Sequence, residues 1–433
     1  MNPYAAVILA ALVGEYALRL CADVLNVRAL RPELPAGFER AYDATTYRRS
    51  QEYTRVRTRF GLIAATVELA ALLLFWRAGG FPWLDELVRS LGLASVPTGV
   101  LFIGLVLGLG WLLGLPFQLW GTFVIEERFG FNRTNARTFV ADTLKGLLLA
   151  LVLGGPLLAA ILAFFERTGA AAWLWCWAAT TAFLLFVQYI APTWLMPLFN
   201  RFTPIEEGEL KAAILDYGRS VGFPLAGIFV IDGSRRSTKA NAFFTGFGPR
   251  KRIALFDTLI EQQSTQELLG VVAHEVGHYK RHHVLQGLVL AIANAGLVFW
   301  LMSLFISRPG LFEAFGVAGT PVYAGLVFFA LLYKPVELLL AMFLQALSRK
   351  HEFEADRFAA RTTGRPESLA SALIKLSAES LTNLTPHPFY VFLHHSHPPL
   401  ARRVGALVAD SWPTPTPART EPASAPNSGS GAP

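Results

Sequence analysis

Two adjacent stretches decide how this chain folds. Residues 264–278 read STQELLGVVAHEVGH, and residues 284–305 read VLQGLVLAIANAGLVFWLMSLF. The first stretch opens with Ser264 and Glu267 at the spacing of a capping box, so we predict a helix that starts near Ser264. The second is an apolar run long enough to cross a hydrocarbon core about 30 Å thick. A polar helix that carries ionisable groups therefore leads directly to a membrane span.

The rest of the chain is also rich in apolar runs. Its 433 residues are 53% hydrophobic and only 16% charged, which is too apolar for an ordinary soluble domain. We predict seven spans, at residues 4–20, 62–76, 100–120, 146–165, 173–195, 284–305 and 322–347, of which the second is short. The first run contains Glu15 and lacks a basic start, so we interpret it as a retained span and not a signal peptide. The sequence predicts a mainly α, polytopic membrane protein.

Basic residues mark the orientation of these spans. Arg and Lys cluster in the loops between spans one and two and between spans three and four, whereas the alternate loops carry few. The positive-inside rule then puts the N-terminus outside and the C-terminus in the cytoplasm. The net charge of +7 is spread over loops next to the membrane, so we expect a lipid bilayer and no nucleic acid as partner. The two cysteines, Cys21 and Cys176, are interpreted as structural.

The sequence HEVGH places two imidazoles four residues apart on one helix face. His274 and His278 can therefore bind a single ion, and Glu275 between them is placed to reach a water on that ion. A catalytic zinc needs a third protein ligand and an open position. Ordinary histidines beside a solvated glutamate would give the same five letters by chance in about one of a hundred chains of this length, so the surrounding sequence has to decide.

The third ligand is expected just after the last span. Residues 351–356 read HEFEAD, and the hairpin of spans six and seven returns Glu352 to the face that carries the histidines. Asp356 follows four residues later, so it can orient a ligating histidine. The alternative is a solvated charged face, which is the interpretation we give to Glu354. We therefore predict one Zn²⁺ per chain, held by His274, His278 and Glu352.

The histidines are unevenly distributed. All nine lie between residues 274 and 397, which favours imidazole chemistry in that region. His397 and Arg403 could stabilise an oxyanion or could be surface groups. Three further histidines are interpreted as bystanders: His282, His283 and His387.

The polar segments divide the chain. We predict transmembrane helices over residues 1–196, a catalytic domain with the last two spans over 197–410, and a disordered tail over 411–433, which has almost no apolar bulk. Residues 228–231 and 253–256 are typical of short strands, with Asn241 to Phe244 between them and a turn at residues 246–250.

Several separated motifs give the chain a family resemblance. Besides the two metal-ligand motifs, they are residues 123–132 (FVIEERFGFN), 198–203 (LFNRFT), 232–237 (DGSRRS), 241–244 (NAFF), 255–259 (LFDTL) and 394–399 (HHSHPP). In these the chain resembles the type I CAAX prenyl protease family, integral membrane relatives of the HtpX heat-shock proteases. The resemblance implies seven helices around a chamber and a zincin-type catalytic domain with a small β-hairpin on the cytoplasmic side.

The resemblance also implies roles for particular residues. Glu275, Asp356, His397 and Arg403 would act beside the zinc, and an edge strand of Asn241, Ala242, Phe243 and Phe244 would bind the substrate backbone. The ionisable residues within the membrane, which are Glu15, Glu68, Lys334 and Glu337, would face the chamber or one another. Lys334 and Glu337 could equally form a simple pair three residues apart.

The expected activity is zinc-dependent endopeptidase cleavage near the C-terminus of a lipidated or unmodified CAAX-type substrate. One alternative is a quality-control protease for membrane proteins without a prenyl requirement. A more distant one is a metal transporter, in which Glu275 would be dispensable. An intramembrane protease of the site-2 kind would carry its motif inside a span, whereas Lys280 and Arg281 follow it here. The Ala-, Leu- and Arg-rich composition favours a bacterial inner membrane over an endoplasmic reticulum membrane.

Overall fold

The computed structural model describes residues 2–39, 42–245 and 251–408. Six of its helical segments are long and apolar enough to cross a membrane, and a bent helix pair brings the number to seven. The six are Pro3–Arg28, Ala44–Arg77, Ser95–Glu126, Ala136–Arg167, Gly169–Leu198 and His283–Phe305. This agrees with the predicted mainly α, polytopic fold. The predicted turn at residues 246–250 and the predicted tail lie outside the described residues.

The helices of the membrane half are α1 (Pro3–Arg28), α2 (Ala44–Arg77), α3 (Gly80–Arg89), α4 (Ser95–Trp120), α5 (Ala136–Leu149), α6 (Gly155–Arg167) and α7 (Ala172–Ile190). Helix α2 is much longer than the predicted span at residues 62–76, because the arginine-rich segment before that span is also helical. A search for apolar runs in the sequence finds only the part of a helix that lies in the hydrocarbon core, and not its polar extension.

The predicted seventh span is bent. Helix α13 (Val322–Leu332) meets α14 (Lys334–Thr363) at 53°. Pro335 explains the bend, because proline donates no backbone hydrogen bond and its ring clashes with the carbonyl four residues earlier. The backbone N–H groups of Val336 and Glu337 turn to the carbonyl of Tyr333 and start the second helix. Helix α14 then carries residues 351–356 beyond the apolar segment.

A small mixed sheet lies between the fifth and sixth spans. Its strands are β1 (Phe202–Pro204), β2 (Leu225–Ile231), β3 (Ala242–Thr245) and β4 (Lys251–Phe256), in the order β1-β2-β4-β3. Strands β3 and β4 form the antiparallel pair of the predicted hairpin, and β2 lies parallel to β4. The sheet is larger than predicted, because three residues such as those of β1 give no recognisable alternation.

The remaining helices are α8 (Glu209–Ser220), α9 (Asp257–Gln262), α10 (Thr265–Lys280), α11 (His283–Phe305), α12 (Pro309–Glu313), α15 (Pro366–Glu379), α16 (Pro388–His394) and α17 (Leu400–Val408). Three of them, α8, α9 and α10, contact this sheet, whereas α11 is the sixth span and α12 packs in the membrane half. Ile253 and Leu255 of the sheet share one buried core with Val272 of α10 and Leu369 of α15. A polar domain with its own core therefore supports the catalytic helices outside the apolar spans.

Helix α10 packs unusually closely against α14. A Cβ atom at Gly277 would lie 3.1 Å from the Cα and O atoms of Ala355, which is tighter than most Cβ contacts, so a larger residue there would require the two helices to move slightly apart. The contact brings the histidine face of α10 against the carboxylates of α14.

Candidate metal centre

The helix that carries the two histidines is anchored at its start. The Ser264 side chain accepts a hydrogen bond from the Glu267 N–H, and Glu267 accepts one from the Ser264 N–H, which completes the predicted capping box. Ser371 and Lys375 of α15 also donate to the Glu267 carboxylate, at 2.6 and 2.7 Å. The first turn of α10 is therefore held to a neighbouring helix through Glu267, seven residues before His274.

The structure brings together the three predicted ligands. His274, His278 and Glu352 each offer an atom within 4.8 Å of the others. The two Nε2 atoms lie 3.1 Å apart, and the Glu352 carboxylate lies 3.3 Å from His278 Nε2 and 3.6 Å from His274 Nε2. Ligand nitrogens about 2.0–2.1 Å from a tetrahedral zinc lie about 3.3 Å apart, so the spacing suits this ion.

The protonation pattern of His274 also fits a cation. Its Nδ1 lies 2.9 Å from Asp356 Oδ1. A carboxylate only accepts, so Nδ1 carries the proton and Nε2 turns its lone pair toward His278 and Glu352. Glu352 Oε2 is buried and, among the described residues, accepts no well-aligned hydrogen bond, although Arg403 Nη1 lies 3.0 Å away. These electron-rich atoms need a shared positive charge, and the residues present fit a metal ion.

Arg403 contacts two carboxylates of α14, those of Asp356 and Glu352. Its Nε and Nη2 donate to the two oxygens of Asp356, at 2.8 and 2.7 Å, while Nη1 faces Glu352. Arg403 is only 8% exposed and does not line the cavity in front of the histidines. Arg403 therefore holds Asp356 by two hydrogen bonds and Glu352 by its charge, and its predicted oxyanion contact stays a prediction.

Two residues of the site were missed from the sequence. His283 was interpreted as a bystander and Glu354 as a solvated charge, but the structure places His283 against His278 and Glu354 against His283. His283 is buried, its Nδ1 lies 3.1 Å from His278 Nδ1, and its Nε2 lies 3.1 Å from Glu354 Oε2. His283 follows His278 by five residues and begins a new helix, so the helical periodicity of the motif does not point to it.

His282 and His387, the other two histidines interpreted as bystanders, are not part of the ligand group found among the described residues. His282 is exposed at the break between α10 and α11. His387 accepts a hydrogen bond from the Phe389 N–H at the start of α16.

Glu275 and the histidines open onto one cavity of about 440 Å³. Its lining residues are Asn241, Ala242, Phe243, Phe244, His274, Glu275, His278, His283, Val284, Ser348, His351, Glu352 and His397. Burial raises the pKa of the Glu275 carboxyl, and the adjacent His274 and His278 partly oppose that rise. A raised pKa suits a group that exchanges protons near neutral pH.

A larger groove of about 730 Å³ runs along the other side of α14, beside Phe353 and Arg357. It contains neither of the two histidines, so we assign the chemistry to the smaller cavity.

Strand β3 forms the edge of the sheet toward this cavity. Asn241 O accepts a hydrogen bond from Phe256 N in the direction of β4, whereas Ala242 N is bonded to the Asn241 side chain. In an antiparallel ladder alternate residues point outward, so the polar backbone groups of Ala242 and Phe244 face away from β4. Among the described strands none pairs with this edge. An extended peptide could therefore be added there.

His397 is an exposed residue of this cavity and lies beside Glu352. Its Nε2 lies 3.4 Å from Glu352 Oε1, and 64% of its side chain is exposed. It can therefore donate a hydrogen bond to a bound molecule, and the role beside the zinc that the resemblance implies stays a prediction.

The predicted ionisable residues within the membrane lie in different surroundings. Glu15 lines a cavity of about 330 Å³ together with Arg19 and Asp23, whereas Glu68 is exposed on α2. Lys334 and Glu337 form an ion pair at 2.9 Å, which agrees with the simpler of the two interpretations.

Comparisons with known proteins agree with the fold and with the site. A family model of the CAAX prenyl protease N-terminal region, with five membrane helices, matches residues 23–201, and that of peptidase family M48 matches residues 204–411. The chain is 36% identical over 416 residues to the CAAX prenyl protease 1 homolog of Oryza sativa subsp. japonica, covering 94% of this chain and 97% of that protein. It is 35% identical over 405 residues to CAAX prenyl protease 1 of Saccharomyces cerevisiae, covering 87% and 88%.

The same likeness extends to a solved structure. The crystal structure of S. mikatae Ste24p superposes with a TM-score of 0.89 at 31% identity, covering 94% of this chain and 99% of that one. Fold and site thus define a multi-pass integral membrane metallopeptidase, an enzyme whose substrates are peptides or proteins. The chain belongs to the CAAX prenyl proteases of peptidase family M48. Family membership and fold class were predicted from the sequence and are confirmed.

Proposed function

We propose that this enzyme is a zinc-dependent endopeptidase that cleaves near the C-terminus of prenylated CAAX-type substrates. The observation that carries the proposal is the shared cavity, in which His274, His278 and Glu352 converge beside Glu275 and the free edge of β3. The names of the relatives support the substrate class.

His274, His278 and Glu352 would hold the ion. When bound, zinc supplies a Lewis acid that activates water and polarises a carbonyl. Glu275 accepts the proton of the attacking water and returns it to the leaving amine. His397 donates a hydrogen bond to the developing oxyanion. Asp356 holds His274 in the tautomer that leaves Nε2 free.

The edge of β3 would select an extended substrate. Main-chain hydrogen bonds to Ala242 and Phe244 set the register of the peptide and leave side-chain choice loose. This mode suits an enzyme that recognises a C-terminal tail whose residues vary.

The proposal is tested with detergent-purified enzyme and two peptides of equal sequence, one farnesylated and one not. Wild type should cleave the farnesylated peptide, and Glu275→Gln should lower kcat on the order of 10²- to 10⁴-fold, because the general base is lost. Zinc content should stay equal in both proteins, since Glu275 is not a ligand in this proposal. Glu379→Gln, an exposed glutamate at the end of α15, is the matched control.

The outcomes separate the alternatives. Equal cleavage of both peptides would remove the prenyl requirement and favour a quality-control protease. Full activity of Glu275→Gln would remove the proposed role of that residue.

The proposal includes an orientation with the N-terminus outside and the catalytic residues in the cytoplasm, supported by the arginine-rich loops. The relatives compared above are eukaryotic, so they do not favour the expected bacterial inner membrane. Labelling of single cysteines placed in alternate loops with an impermeant reagent tests the orientation, and reaction of the arginine-rich loops from outside would contradict it.

A further inference from the structure

His283 occupies a buried position behind the second histidine of the motif. It begins α11, is 6% exposed, and stacks on His351 with ring centroids 3.9 Å apart and planes 9° from parallel. One ring nitrogen faces His278 Nδ1 at 3.1 Å and the other faces Glu354 Oε2 at 3.1 Å. The ring therefore lies between a proposed metal ligand and a carboxylate.

These contacts determine where the protons lie when His278 binds a metal. His278 Nε2 must then offer a lone pair, so its proton is on Nδ1. Nδ1–H donates to His283 Nδ1, which must be unprotonated to accept it. The remaining proton of His283 is on Nε2 and is donated to Glu354. This assignment comes from the hydrogen-bond network, and each link requires the next.

We propose that Glu354 and His283 are positioning residues that hold His278 in its metal-binding tautomer and ring plane. Asp356 orients His274 by direct contact, whereas His278 would be oriented by His283, which Glu354 holds in turn. Stacking on His351 keeps the His283 ring in the plane that both contacts need. The inference rests on the proposed zinc site at His278.

Zinc affinity, measured by competition with a chelator on the full-length protein, is the test. His283→Phe keeps an aromatic ring to stack on His351 but cannot accept from His278, and it should weaken zinc binding about 10- to 100-fold. His283→Asn keeps an acceptor near the Nδ1 position and should recover most of the affinity. His282→Asn is the matched control, because His282 is exposed and asparagine tolerates its left-handed backbone, with φ at 59°. It should bind zinc as tightly as wild type.

A second pair covers the case in which His283→Phe does not fold. Glu354→Ala should weaken zinc binding, and Glu354→Gln, which keeps an acceptor oxygen, should bind more tightly than Glu354→Ala. Thermal unfolding of the zinc-free variants reports folding separately from metal binding.

The inference is overturned by unchanged zinc affinity in folded His283→Phe, or by His283→Asn binding no better than His283→Phe. It is overturned equally by identical affinities of Glu354→Ala and Glu354→Gln. His278→Ala distinguishes the two proposals. If this variant binds zinc like wild type, the metal site itself is wrongly assigned. If it loses zinc while the His283 and Glu354 variants keep wild-type affinity, only the positioning role is refuted.

Discussion

At the scale of single residues, Arg403 is a buried charge that depends on two charged partners. Its guanidinium is buried and faces Asp356 and Glu352 together, so one cation partly compensates two carboxylates outside bulk water. A buried charge that loses its partner is strongly destabilising, whereas an exposed one is not. Arg402, the next residue toward the N-terminus on the same helix, is exposed. Because Arg402 and Arg403 carry the same charge and differ in burial, comparing their variants measures the effect of burial.

We predict that Arg403→Met lowers the free energy of unfolding by about 3–5 kcal/mol, because two buried carboxylates lose their counter-charge. Arg402→Met should change it by less than about 1 kcal/mol. Denaturant unfolding of the detergent-purified proteins measures both. Similar losses in the two variants would contradict the proposed role of Arg403.

At the scale of elements, the catalytic helix depends on its first turn. Glu267 closes the capping box of α10 and accepts from Ser371 and Lys375 of α15. Burial by itself raises the pKa of this carboxyl, but the contacts with Lys375, Ser371 and Ser264 outweigh burial and lower the pKa from 4.5 to about 2. The charged form is therefore the stabilising one, and its contribution is present above pH 4.5 and lost as the pH falls toward 2.

Glu267→Gln should accordingly lower the thermal midpoint at pH 7 by an amount equivalent to about 1.5–3 kcal/mol, the usual worth of hydrogen bonds to a charged group. The difference from wild type should shrink as the pH is lowered below about 4.5, since wild type then loses the same charge. Thermal unfolding over this pH series is the measurement. Glu261→Gln, an exposed glutamate of α9, is the control. A difference that stays constant with pH would refute the explanation.

At the scale of the whole molecule, a polar network joins the membrane helices to the substrate strand. Lys239, two residues before Asn241, donates to Tyr53 of α2 and to Glu126 at the end of the third span, both at 2.8 Å. Its ammonium also lies 4.3 Å from the ring centroid of Phe131. The backbone leading into β3 is therefore held by two spans, while the proposed zinc ligands lie on α10 and α14.

We predict that Lys239→Met lowers kcat/KM for peptide cleavage on the order of ten- to hundredfold, because a small displacement of β3 misaligns the bound peptide. Zinc affinity should not change, since Lys239 contacts none of the ligands. Lys211→Met, which breaks a surface pair with Glu207, should leave both quantities unchanged. Loss of zinc together with activity would point to general unfolding instead.

Much of this organisation could be predicted from the sequence. The positions of the spans, the cap at Ser264 and the four-residue spacing of His274 and His278 depend on neighbours along one helix, so they can be predicted from local sequence patterns. The return of Glu352 to the histidines followed from the order of the spans. The ligand set stays a prediction until metal is measured.

Other features needed the tertiary structure, since they join residues that no local pattern relates. Arg403 meets Asp356 from a separate helix, Lys239 reaches back to the second and third spans, and Glu354 meets His283 across the hairpin of the last two spans. The sequence by itself determined which segments span the membrane and which face of α10 carries the histidines. Only the packing of α10, α11, α14 and α17 decided which charges surround that face, because those contacts depend on distances between helices that local preferences do not encode.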